Sequence, residues 1–99
     1  MFARLTYIEA APHDDLRIVA EPMLPMTQSM AGCRGLLCLG DPTSGRALAI
    51  AFYEDRDALA DSLEASNSVT PELLERSGAR VARVEEYEVV LASPQIRLG

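Results

Sequence analysis

The chain has 99 residues, enough for one domain with a modest core and too few for two. Its formal net charge of -6 excludes a phosphate-binding surface, which needs clustered cations, so no nucleic-acid partner is expected. All 9 basic residues are Arg; without Lys, a Schiff-base lysine and a P-loop lysine are both excluded.

An alternating run at Phe2–Glu9 opens the chain and predicts a strand, with Leu5 and Tyr7 on one face and Arg4, Thr6 and Ile8 on the other. It begins without a basic segment or an apolar leader, and no apolar run is long enough to span a bilayer. The expectation is a cytoplasmic protein with no membrane contact. A helical pattern follows from Asp14 to about Met30, with Leu16, Val19, Ala20, Met23, Met26 and Met30 near one face. Pro12, Asp14 and Asp15 mark its start. Pro22 and Pro25 each remove a backbone donor and clash one turn back, which predicts a kink or two short segments. Gly32 ends the element.

Two strand-like runs come next, Cys33–Leu39 and Arg46–Tyr53, joined by the polar turn Asp41–Gly45. Cys33 and Cys38 lie five apart in one predicted strand, so they should face opposite ways and cannot bridge. With one His and two Cys no structural zinc site is expected, and the free thiols fit a reducing compartment. A second helix begins near Asp57 and carries Leu59 and Leu63 on one face. Asn67–Thr70 breaks it, and Thr70-Pro71 reads as an N-cap followed by proline at the first helical position. Gly78 precedes a last alternating run, Val81–Leu91. The acidic residues Glu85, Glu86 and Glu88 there read as a solvated edge that discourages sheet-to-sheet aggregation. His13, the only His, reads as an exposed helix-start residue.

The order is β-α-β-β-α-β. It predicts an α+β, ferredoxin-like domain over residues 1–92, a four-stranded antiparallel sheet with both helices on one face, and a tail over residues 93–99. Two helices cover one face only. The other is predicted to pack against a second copy through Leu5, Tyr7, Leu48, Ile50 and Phe52, giving a two-fold homodimer. Beneath the helices, Ala47, Ala49 and Ala51 form a row of small residues with two physical meanings, and the residues alone leave both open. Such a row either lets a helix sit close to the sheet or leaves volume for a ligand. In the second case the pocket is Arg4, Thr6, Met23, Met26, Ala49, Ala51 and Tyr53, with Tyr53 at one end and Arg4 at the other.

The segments MFARLTYIEAAP, MAGCRGLLCLGDPTSGRALAIAFYEDRDAL and VARVEEYEVV resemble the antibiotic biosynthesis monooxygenase-like family, over nearly the whole chain from Phe2 to Leu91. The resemblance implies ferredoxin-like subunits paired into a dimeric α+β barrel. It also implies one of several activities: cofactor-independent oxygenation of quinols and aromatic polyketides, haem degradation, or none known. Haem-degrading members use an Asn on strand one, a Trp ending strand three and a His on helix two. The first two positions fall on Thr6 and Tyr53, and Asp57–Ser66 has no His, so neither haem nor any other cofactor is implied. For the oxygenase reading, Arg4 would stabilise a substrate anion, Tyr53 would orient the ring and Thr6 would hydrogen-bond it. The competing reading pairs Arg4 with an acid on an outer strand and has Tyr53 cap the core. The function expected is that of a cofactor-independent monooxygenase acting on a small planar aromatic or quinol. The alternative is a non-catalytic dimeric module that binds a small apolar ligand or a protein partner.

Overall fold

The computed structural model describes residues 1–96, so part of the tail assigned to residues 93–99 lies outside the described residues. The expected order is observed: β1 (Phe2–Glu9), α1 (Leu16–Ala20), α2 (Met23–Gln28), β2 (Cys33–Asp41), β3 (Arg46–Tyr53), α3 (Arg56–Asp61), a π-helical turn (Ala65–Val69), α4 (Thr70–Arg76) and β4 (Arg80–Glu88). The strands form one antiparallel sheet in the order β2-β3-β1-β4.

The proline pair divides the first helical stretch into α1 and α2, as its chemistry requires. The start of α1 is set by Asp15 rather than Pro12: its carboxylate accepts from the backbone N–H groups of Arg17 and Ile18. Asp55 caps α3 in the same way, accepting from the Ala58 N–H. The hairpin between β2 and β3 closes through Gly45 at φ +79°, where the Gly45 N–H donates to the Asp41 carbonyl.

Several expectations are corrected. Leu63 is exposed, not paired with Leu59, because the inward stripe of α3 and its continuation runs through Ala58, Ser62, Ser66 and Thr70, a spacing of four. The chain does not break at Asn67–Thr70. It stays helical through the π turn into α4, and Thr70 is not a cap: Val69 precedes it in helical backbone and no side-chain cap bond forms. The wider turn lies immediately before Pro71, whose ring would clash with the carbonyl four residues back in a regular helix. Strand β4 ends at Glu88, not Leu91; Val89 adds one bond to the Met1 carbonyl, and Val90 and Leu91 project into solvent. Cys33 and Cys38 share a face. A register shift between Cys33 and Gly35 adds a residue to β2, so Cys33 opposes Tyr53 and Cys38 opposes Ala49, both on the helix side. They remain about 13 Å apart at ~3.3 Å per strand residue, too far to bridge.

The two faces sort as alternation predicts. Ile8, Ala49, Ala51 and Tyr53 are buried beneath the helices, in one core cluster with Val19, Met23, Leu74 and Ala79 and a second with Ala58 and Leu59. Leu5, Tyr7, Leu48, Ile50 and Phe52 lie half-buried on the opposite face, beside the exposed Leu37 and Leu39 of β2.

Candidate functional site

Side chains that combine polarity with deep burial are the first place to look for chemistry, because each needs a partner or a reason. Among the described residues they are Arg4, Thr6, Thr27, Ser62, Ser66 and Thr70. All but Ser62 line one cavity of about 20 Å³ between β1, β3, α2 and the π turn, together with Met23, Met26, Met30, Ala51 and Tyr53. Ser62 touches it through Arg4. The alternation of β1 puts Arg4 and Thr6 there, the register opposite Ala51 and Ala49 sets their height, and the fourfold stripe of the helix brings Ser66 and Thr70 down onto them.

Arg4 is 3% exposed and fully engaged. Its Nε and Nη2 donate to one carboxylate oxygen of Glu86 at 3.0 and 2.6 Å, Nη1 donates to the Ser62 hydroxyl at 2.6 Å, and Nη2 donates to the Leu59 carbonyl at 2.9 Å. Its guanidinium carbon stands 5.5 Å from the Tyr53 ring centroid. Arg4 and Tyr53 are therefore neighbours, not opposite ends of a pocket, because Tyr53 lies two β3 residues from Ala51, the direct partner of Arg4, and that diagonal on one face brings a long side chain within reach of the ring. Glu86 comes from the acidic run of β4, so one member of that run is a partner for a buried charge rather than a solvated edge.

Tyr53 is 2% exposed, and its hydroxyl meets only a soft acceptor, the Met30 sulfur at 3.7 Å. Thr70 likewise meets the Met26 sulfur at 3.7 Å. Thr27 turns back on its own helix, donating to the Met23 and Leu24 carbonyls. The cavity is thus walled on one side by methionines, which are unbranched and rearrange easily, and on the other by hydroxyls.

Of the expected pocket residues, Arg4, Thr6, Met23, Met26, Ala51 and Tyr53 converge here; Ala49 does not line the cavity and belongs to the core cluster with Ile8 and Val19. Thr27, Met30, Ser66, Thr70, Ser62 and Glu86 complete the neighbourhood without having been singled out as site residues. For Ser62, Ser66 and Thr70 the signal that could have found them is their i, i+4 spacing.

A second and larger space lies at the other end of the helix layer. It is a groove of about 530 Å³ between α1 and the edge strand β2, walled by Leu16, Leu24 and Leu36 with Cys38 against it, and rimmed by Asp14, Asp15, Arg17 and Glu21. Cys38 is exposed as a residue at the strand edge, yet burial of its thiol raises the pKa above the ordinary value of 9.0. The core cluster shares Ile8 with the groove and Met23 with the small cavity, and so stands between them. His13, with φ +68°, sits in the turn before α1 and lines neither space. Among the described residues no three His, Cys, Asp or Glu side chains cluster as a metal site would require, and no helix is long and apolar enough to cross a membrane.

No protein-family profile matches the sequence. The chain is 36% identical over 97 residues to the uncharacterised protein Rv2558 of Mycobacterium tuberculosis, covering 92% of this chain and 39% of that protein. It is 32% identical over 92 residues to the uncharacterised protein Rv2557 of the same organism, covering 90% and 41%. The chain therefore spans about two fifths of the length of the curated relatives it matches. Among solved structures, a Deinococcus radiodurans protein provisionally named an antibiotic biosynthesis monooxygenase superposes with a TM-score of 0.71 at 18% identity, over 94% of this chain and 96% of that one. A mutant of SnoaB, a cofactor-independent oxygenase from Streptomyces nogalater, gives 0.68 at 13% identity, over 94% and 97%. Rv0793 from Mycobacterium tuberculosis gives 0.62 at 15% identity, over 94% and 99%. The chain has the antibiotic biosynthesis monooxygenase-like fold.

Proposed function

We propose that this chain is a non-catalytic, homodimeric binding module that takes a small planar apolar ligand, an aromatic or quinol, between β1, β3 and α2. The observation that carries this reading is the engagement of Arg4. It is the one cation lining the cavity among the described residues, and Glu86, Ser62 and Leu59 already accept its hydrogen bonds. A guanidinium so occupied has little to offer a developing oxyanion, which catalysis of this kind requires. Nor, among the described residues, does a carboxylate or imidazole line the cavity to serve as base. What remains is a methionine wall, the Tyr53 phenol with its soft sulfur partner, and the hydroxyls of Thr6 and Ser66. Ligand entry requires the side chains of Met23, Met26 and Met30 to swing aside, since about 20 Å³ is near the size of a single water site at ~10–15 Å³.

The homodimer rests on the sheet face opposite the helices. Leu5, Tyr7, Leu48, Ile50 and Phe52 form an apolar surface that the helices do not cover, and a two-fold pairing places like against like. Burial of a large apolar side chain contributes about 1.5–3 kcal/mol, so five per subunit supply much of an interface's gross energy.

A second reading has its own support. SnoaB, a cofactor-independent oxygenase, shares this fold, and the Tyr53 phenol could orient a hydroxylated ring for direct reaction with oxygen. Titrating the purified protein calorimetrically with anthrones and naphthoquinols, with oxygen consumption recorded in parallel, separates the two. Binding that a Tyr53→Ala variant loses, without oxygen uptake, supports the module. Uptake that tracks substrate oxidation moves the chain to the oxygenases. No binding by any planar phenol removes the site.

A further inference from the structure

We propose that the groove between α1 and β2 is a second binding site, and that its ligand is a cationic amphiphile, an alkyl chain carrying an ammonium group. The groove has the volume of a small-molecule site, about 530 Å³, within the range of ~300–1,000 Å³ that such sites occupy. Its walls are the apolar Leu16, Leu24 and Leu36, and Leu24 stays exposed although it belongs to the helix layer. Gly40 leaves room for the Leu16 side chain against β2: a Cβ there would lie 2.6 Å from Leu16 Cδ1, and the leucine tip would have to turn aside.

Charge selects the ligand. The rim carries three carboxylates, Asp14, Asp15 and Glu21, and one guanidinium, Arg17. Asp14 and Asp15 each use one oxygen on backbone N–H groups, at Ala11 and at Arg17 and Ile18, which leaves the other oxygen of each to the rim. Glu21 is exposed and has no hydrogen-bond or ion-pair partner among the described residues. A chain with a net charge of -6 adds a field of the same sign. An ammonium at this mouth gains from the three carboxylates, which outnumber the single guanidinium of Arg17, whereas a carboxylate of the same length meets a rim of net negative charge.

Cys38 reports on the site, because it lines the groove and retains a free thiol. Tryptic cleavage after Arg34 puts Cys33 and Cys38 on different peptides, so the intact chain can be used without removing a cysteine. The experiment follows the rate of Cys38 alkylation by iodoacetamide, with decylamine or decanoate added below their micellar concentrations. Decylamine should slow the reaction roughly tenfold and decanoate should not, since a favourable charge contact at close range adds to the apolar burial both share. Glu21→Arg, an exposed substitution outside the core, should erase that difference. Equal protection by both compounds would overturn the charge assignment, and protection by neither would overturn the site. Protection that rises with protein concentration alone would mean that a second copy covers the groove, which also overturns the proposal.

Discussion

Replacing Glu86 by Ala tests whether Arg4 is a structural cation or one held ready for a ligand. The substitution removes the carboxylate that takes both the 3.0 Å bond from Nε and the 2.6 Å bond from Nη2, and leaves a guanidinium that is 3% exposed. Removing one partner of a fully buried pair costs about 3–5 kcal/mol. Here the Glu86 side chain is 42% exposed, so water can reach the vacated side of Arg4. That solvation lowers the cost to about 1.5–3 kcal/mol, the range for a hydrogen bond to a charged group. At ~4–8 °C per kcal/mol for a domain of this length, the melting temperature should fall by roughly 10 °C. Thermal unfolding followed by circular dichroism at one protein concentration reads it directly. A companion, Arg4→Met, removes the charge itself. Adding Glu86→Gln to it should cost almost nothing more, because Glu86 is then an ordinary surface residue. A Glu86→Ala variant that melts with the parent would refute the reasoning and return Arg4 to the pocket as a free cation.

Ile50→Glu puts a carboxylate near the middle of the uncovered sheet face, and should halve the mass seen by light scattering at micromolar protein while the circular dichroism spectrum is kept; an unchanged mass would exclude that face as the interface. Gly45→Ala should destabilise by at least about 1–2 kcal/mol in urea unfolding, because φ is +79° and the added Cβ would run into the Ala10 carbonyl oxygen. The rate of Cys38 alkylation should keep climbing with pH beyond the ordinary thiol value of 9.0 and level off later than that of a cysteine in the unfolded chain, since the folded site favours the neutral thiol. The same shift means that any stability gained from keeping this thiol neutral is present below pH 9.0 and is lost as pH rises through the folded value.

The parts of this fold that were legible in the sequence are those set by local periodicity. Alternation in β1 and β3 separated Leu5, Tyr7, Leu48, Ile50 and Phe52 from Arg4, Thr6, Ala49, Ala51 and Tyr53, and the proline pair foretold the division of α1 from α2. What was not legible depends on long-range pairing. The added residue in β2 that puts Cys33 and Cys38 on one face exists only in the register against β3. The π turn at Ala65–Val69 is invisible to propensity, since Asn67–Thr70 reads as a break until Pro71 is seen to need room behind it. Glu86 looked like one more surface acid because its partner lies 82 positions away in the chain.

A fold shared with an oxygenase does not by itself bring the chemistry with it. In this chain the position that could hold an oxyanion is filled by an arginine whose neighbours were chosen to bind it: Ser62 accepts from Nη1 while its own hydroxyl donates to Leu59 at 2.7 Å, and Leu59 in turn accepts from Nη2. That closed triangle costs the helix an apolar residue at Ser62 and keeps the inward stripe small and polar. An arginine recruited to a ligand would be expected to leave a donor pointing into the cavity. One locked to three partners instead ties β1, β4 and α3 together, and a ligand entering the cavity must be recognised by the sulfurs and hydroxyls on the other side.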